Sequence, residues 1–271
     1  MSNEKAVVIT GATRGIGKNM ALYFASRGYT VVGTGRDAAK LNELDQELKQ
    51  FGSSNKAVAL DIMDPSNIQD VVQSVVSDLG KIPVWINNAG LFKAIGPTWE
   101  VDRDAWIGDL STNLIGTFQC LHAVIPVMLR QGFGRIINVV GGGTGNAFKY
   151  GCAYGVSKTG VARLTENAAA ELEGSRVQCF AMDPGLNRTD MTEYQLNTEA
   201  GQHYLPVIKD LFDQKKDVPP ERAPKLAFAL AEGKLDAYHG RIVSVHEDIE
   251  QWESRSDGLS ENPYKLRISL S

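Results

Sequence analysis

The sequence predicts an α/β fold built as one open, doubly wound parallel sheet with helices on both faces. Three observations predict it. Seven short runs rich in Val and Ile recur along the chain with helical patterns between them. Several of these runs are apolar at consecutive positions, as in strands covered on both faces. A glycine-rich turn stands directly between the first strand and the first helix, where sheets of this kind hold anionic ligands.

The elements follow in order. Strands are expected at "AVVIT" (6–10), "TVVGTG" (30–35), "KAVAL" (56–60), "VWINNAG" (84–90), "RIINVV" (135–140), "VQCFAMD" (177–183) and "GRIVSV" (240–245). Between them the pattern predicts helices over 15–27, 37–51, 65–79, 103–131, 154–173 and 221–232. Short connections join them, without an internal repeat or interdomain linker, so residues 1–250 are expected to form one domain. Residues 186–220 break the rhythm, being polar and ending in "KKDVPPER". They read either as a cover over a substrate site or as an ordinary helical excursion. The tail 251–271 is polar and carries no readable chemistry.

Composition narrows the classes of function. A chain of 271 residues, 43% hydrophobic and 22% charged, can bury a full α/β core. Net charge is −4 with no basic run of five, which argues against nucleic acid as the main partner. Cys120, Cys152 and Cys179 form no C-x-x-C pair, as expected of reduced intracellular thiols rather than a disulfide framework or zinc site. The start "MSNEKAVVIT" lacks a signal-peptide core, and no apolar run approaches the roughly 20 residues of a membrane span. A cytoplasmic protein without membrane contact is the expectation.

"TGATRGIG" (10–17) carries the first chemistry. Gly11 permits a tight turn after the strand, Gly15 removes a Cβ where backbone approaches a pyrophosphate, and Gly17 allows helix to pack closely on sheet. The pattern is not a P-loop, because Asn19 follows Lys18 and Ala12 replaces the first glycine of that motif. A dinucleotide on a Rossmann-type domain is the reading. The second strand ends "GTGRD", with Thr34 and Arg36 where an NAD-selective protein places an acid. Arg14 approaches from the glycine loop, and two guanidinium groups suit a 2′-phosphate, so NADP is favoured over NAD. The alternative is that both are solvated surface arginines, with Asp37 next door able to neutralise Arg36. Asp61, followed by Ile62, ends the third strand and is placed to accept from the adenine amino group.

Tyr154 and Lys158 stand at i and i+4 and share a helix face. A free phenol has a pKa of ~10, too high for ready proton exchange near neutrality. A neighbouring ammonium lowers it toward the working range, making the pair an acid for a carbonyl oxygen or a base for an alcohol.

"TGATRGIG", Asp61, "NNAG" (87–90), Asn113 in "STNLIG", "YGVSK" (154–158) and "PGLNRT" (184–189) together resemble the short-chain dehydrogenase/reductase family over about residues 5–245. The resemblance implies Tyr154 as acid/base, Lys158 holding the nicotinamide ribose, and Asn113 anchoring a proton-relay water. It implies a cofactor set of Gly11, Thr13, Arg14, Gly15, Ile16, Gly17, Thr34, Arg36, Asp61, Ile62, Asn88, Ala89, Gly90, Tyr154, Lys158, Pro184, Gly185 and Thr189. It further implies a small-molecule substrate and a homodimer or homotetramer built on helices 103–131 and 154–173.

One position departs. The family places a Ser or Thr thirteen residues before the Tyr, and here that position is Gly141, inside "GGGTG". Thr144 is the nearest hydroxyl, with Tyr150 and Ser157 less well placed. Losing one preorganised donor costs on the order of 10²–10³ in rate. Three functions are compatible: a carbonyl reductase whose second donor is Thr144, a backbone N–H or the substrate; an enzyme reducing C=C or C=N bonds; or an NADP-binding protein without turnover. His122, His203, His239 and His246 have no metal-like spacing, so no metal is expected. Cys152 reads as a packing residue or as lining of a substrate pocket, and Trp99 and Trp106 as packing residues rather than a stacking platform.

Overall fold

The computed structural model describes residues 5–256, 259 and 264–267. All seven expected strands form: β1 (Ala6–Ile9), β2 (Thr30–Gly35), β3 (Lys56–Ala59), β4 (Val84–Asn87), β5 (Gly134–Val139), β6 (Val177–Asp183) and β7 (Ile242–Ser244). They pair in parallel in the order β3-β2-β1-β4-β5-β6-β7. The order reverses between β1 and β4, and that switch point opens a crevice at the strands' carboxyl ends.

Helices cover both faces. One layer comprises α1 (Gly15–Ser26), α2 (Ala38–Lys49) and α10 (Arg222–Ala231), burying Met20, Phe24, Leu44, Leu226 and Leu230 on the sheet. The other comprises α3 (Pro65–Leu79), α5 (Gly116–Gln131) and α6 (Cys152–Glu171), burying Ile68, Val72, Leu121, Val124 and Ala168. Asp37 and Asp64 cap α2 and α3 by accepting first-turn N–H groups. Asp37 is therefore occupied at the helix start rather than neutralising Arg36.

The helix expected over 103–131 runs its full length, but α4 (Arg103–Leu110) and α5 are joined by a π turn at Ser111–Ile115. By length and composition this run could cross a bilayer, a test that a buried core helix also passes. In the fold its Cys120, Leu121, Val124 and Met128 are core residues.

Residues 186–220 hold three short helices, α7 (Asp190–Asn197), α8 (Glu199–Tyr204) and α9 (Pro206–Asp213). Leu205 and Ile208 bury against Phe92 and Ile95, and Thr189, Asp190 and Met191 of this segment line the crevice. The boundary drawn at residue 250 falls inside α11 (Ile249–Ser254). Its Trp252 is buried against Tyr238, 4.9 Å between ring centroids. Of the expected tail, 257, 258, 260–263 and 268–271 lie outside the described residues, as do 1–4.

All three cysteines are free. Cys120 and Cys179 are buried, and burial pushes both thiols up to about 12. Cys152 is half-buried at the first position of α6.

Candidate active site

The crevice is built first by close backbone approach. Gly11 and Gly15 adopt positive φ, +63° and +54°. A Cβ on Gly17 would overlap the Gly11 carbonyl oxygen and the Asn88 amide, so only glycine lets α1 start this close to the loop. Asn88 Nδ2 donates to the Thr10 and Gly11 carbonyls, and Thr10 Oγ1 accepts from the N–H groups of Asn88 and Ala89. The ends of β1 and β4 are thereby locked together. No side chain caps α1, leaving its first-turn amides available to an anion in the crevice.

Gly11, Thr13, Arg14, Gly15, Ile16 and Gly17 line the middle of the crevice with Asn88, Ala89 and Gly90. Arg36, Asp61 and Ile62 line it at the β2–β3 side; Tyr154, Lys158, Pro184 and Thr189 line it at the β5–β6 side. Thr34 does not join them. Side chains alternate along a strand, and it is Gly35 whose added Cβ would stand 2.6 Å from Thr13 Cγ2. Thr34 is buried on the other face, donating to the Ile9 carbonyl over 3.3 Å. Gly185 is also off the lining: φ is +67°, and a Cβ there would overlap Val218.

Lys40, Asp190 and Met191 line the crevice without having been anticipated. Asp190 Oδ2 lies 3.0 Å from Arg14 Nη1 and 3.6 Å from Lys40 Nζ. Arg36 Nη1 stands 3.9 Å from Asp61 Oδ2. Lys40 follows Arg36 by four residues at the start of α2, a spacing the sequence does offer; nothing local signals Asp190. Three cations at one end, unblocked amides in the middle and a glycine-lined floor fit a dinucleotide carrying a 2′-phosphate.

At the other end α6 brings Tyr154 and Lys158 to the crevice. Lys158 is buried and donates to the Val139 carbonyl over 2.8 Å, and burial lowers its amine from 10.5 to about 8. Tyr154 departs from expectation. Burial first, then the charges of Asp183 and Asp109, push its phenol above the ordinary value. The Lys158 Nζ lies 5.6 Å from the Tyr154 ring centroid and is tied to backbone, so burial prevails. Burial thereby favours the neutral phenol.

Asn113 sits fully buried in the π turn. Its Oδ1 accepts from Leu91 N–H over 2.7 Å, and its Nδ2 donates to the Leu91 carbonyl and Ser157 Oγ. The side chain braces the chain leaving β4. Asp109, also buried, accepts from the N–H groups of Lys93 and Ala94 and extends that brace. Behind the site runs a polar chain the sequence did not signal. Trp85 Nε1 donates to Asn87, Asn87 to Asn138, and Asn138 to Thr165, each within 2.9 Å.

Gly141 faces the Tyr154 hydroxyl, as its sequence position predicts: a Cβ built there would stand 2.7 Å from that oxygen. Thr144 does not supply the missing donor. Its Oγ1 donates to the Gly141 carbonyl over 2.6 Å and accepts from Gly141 N–H, closing a turn. Ser157 likewise donates to the Tyr154 carbonyl.

The family model described as short chain dehydrogenase matches residues 5–200. The chain is 33% identical over 250 residues to the 3-oxoacyl-(acyl-carrier-protein) reductase FabG of Staphylococcus aureus, covering 91% of this chain and 98% of that one. Among solved structures, a variant actinorhodin polyketide ketoreductase with NADPH superposes with a TM-score of 0.81 at 25% identity, covering 90% and 97% of the two chains. A short-chain type dehydrogenase/reductase from Mycobacterium ulcerans gives 0.80 at 26% identity, covering 89% and 88%.

Proposed function

Because the chain belongs to the short-chain dehydrogenase family, we propose that this oxidoreductase is an NADPH-dependent carbonyl reductase with Tyr154 as its acid. The observation that carries the reading is the crevice itself, with the half-buried Tyr154 phenol beside Lys158 at one end and three cations at the other. The bound cofactor supplies a hydride. Binding, orientation and the proton fall on groups of this chain.

Arg14, Arg36 and Lys40 grip the 2′-phosphate, and the α1 amides take the pyrophosphate. Asp61 and Ile62 flank the adenine, Asn88 to Gly90 the adjoining ribose, and Pro184 and Thr189 the carboxamide end. Lys158 holds the second ribose. Tyr154 donates its proton to the carbonyl oxygen as negative charge develops there, and burial keeps that proton in place until then. The reverse reaction on an alcohol uses the same groups. With Thr144, Ser157 and Gly141 N–H all engaged, a second donor to the oxygen comes from the glycine run beyond Gly141 or from the substrate.

FabG and the ketoreductase neighbour act on oxoacyl and polyketide carbonyls by their names, and a ketone is the first substrate class to test. The engaged Thr144 favours one second reading, reduction of C=C or C=N bonds, which needs no oxyanion donor at 141. A homo-oligomer in the cytoplasm completes the picture: Ile115, Phe118 and Val156 are exposed on the helices expected to form the interface, and no cysteine is paired.

NADPH oxidation against ketones, quinones, enones and imines tests the function, with Tyr154→Phe in parallel. Turnover with a ketone that disappears in Tyr154→Phe, while NADPH still binds, is expected. Turnover surviving that substitution removes Tyr154 as the acid, and saturable binding without turnover on any compound removes the enzyme.

A further inference from the structure

Among the described residues no hydrogen bond holds the Tyr154 hydroxyl, and the side chain is only partly buried. Packing places it instead. The Phe92 ring lies flat on the Tyr154 ring, centroids 4.6 Å apart and planes 11° from parallel. Phe148 closes the group edge-on, 5.4 Å from Phe92 and 6.2 Å from Tyr154.

The glycines around these rings are spaces the rings fill. A Cβ on Gly151 would stand 2.7 Å from Phe92 Cζ, and one on Gly143 would stand 2.8 Å from Phe148 Cβ. On Gly141 it would meet the Tyr154 oxygen itself, at 2.7 Å. A side chain at 141 would require the loop or the phenol to shift, and Phe92 lies against one face of the ring.

We propose that Phe92 is the positioning residue for Tyr154 and forms a matched pair with Gly141: the stack directs the hydroxyl into the volume that a side chain at 141 would fill. The inference rests on the reading of Tyr154 as the acid. Phe92 touches neither the proton nor the reacting oxygen and acts only through the tyrosine ring. Since a displacement of about 1 Å in a reacting group can cost roughly 10²-fold in rate, the pair is felt in kcat.

The test compares wild type, Phe92→Leu, Gly141→Ala and the double variant as full-length chains. NADPH affinity, kcat and KM are measured with a ketone found in the panel above. The 13Cζ resonance of Tyr154, assigned by its loss in Tyr154→Phe, is followed in the same four proteins. Each single variant is expected to lower kcat by roughly 10²-fold, with NADPH affinity and KM within about threefold of wild type. The double variant should fall no further than Phe92→Leu, and the resonance shifts should likewise be non-additive.

Losses that multiply to roughly 10⁴-fold, or wild-type kcat in Phe92→Leu, overturn the pair. Where Phe92→Leu does not fold, Phe92→Met keeps the bulk without the plane and must reproduce the kcat loss; wild-type kcat there overturns the pair equally. If no compound turns over, the resonances decide: non-additive shifts uphold the pair while the reductase reading fails, and additive shifts overturn it.

Discussion

Arg14 donates to Asp190 across 3.0 Å, tying the glycine loop to the first turn of α7. Asp190 also lies 3.6 Å from Lys40, so one carboxylate engages two of the three cations assigned to the 2′-phosphate. All three side chains are about half exposed, and such pairs contribute roughly 0.2–1 kcal/mol. Asp190→Asn should therefore tighten NADPH binding by up to about fivefold, the affinity equivalent of that range. Fluorescence titration of the cofactor reads this directly, and a weaker affinity would show that Asp190 orders the cations rather than competing for them.

Arg36 is the least encumbered of the cations, its nearest carboxylate oxygen being 3.9 Å away on Asp61. Arg36→Ala should narrow the preference for NADPH over NADH by at least ~1 kcal/mol, the scale of a charge-assisted hydrogen bond. Isothermal titration with both cofactors gives the comparison. Equal affinity for the two in the unaltered protein would remove the NADP assignment.

Lys158 titrates near 8 in the folded protein, below its ordinary 10.5. Below pH 8 both folded and unfolded chains hold this proton, and the full cost of burying the charge is present. Between about 8 and 10.5 the unfolded chain holds more of it, so this contribution to stability rises with pH. Lys158→Met should accordingly be more stable than wild type at pH 7, by at most about 3 kcal/mol, with the advantage shrinking toward pH 10. Urea midpoints at the two pH values decide it. A gap that widens with pH contradicts the buried-amine account.

Asn138 links Asn87 on β4 to Thr165 on α6 within the core, and its amide also reaches Cys179 Sγ at 3.4 Å. Asn138→Ala leaves the Asn87 amide without its acceptor in a dry interior. The expected cost is roughly 1–3 kcal/mol for that group alone, before any cavity effect. Chemical denaturation measures it, and an undetectable loss would mean that the network adds nothing to stability.

What the sequence discloses of this site is what neighbours in the chain determine. The glycines of 11–17 and the Tyr154–Lys158 spacing declare themselves because a turn and a helix face are local facts. Thr34 and Gly35 differ only in which face of β2 they occupy, and that parity depends on register with β1. Asp37 is composed like a neutraliser of Arg36, yet its place just before a helix commits it to the first-turn amides. Asp190 reaches Arg14 only through the path of the whole chain, 176 residues apart. The same holds for Phe92, whose ring meets Tyr154 from another strand's end. Lys158 was expected to lower the phenol, but the burial of both groups, which no local pattern encodes, sets the opposite direction.

The thiols offer a practical handle. Alkylation requires thiolate, and burial holds Cys120 and Cys179 near 12, where that form is scarce at neutral pH. Cys152 is half-buried at the start of α6, two residues before Tyr154. A maleimide-linked fluorophore would thus attach at a single native position at the start of α6, without a cysteine-free background.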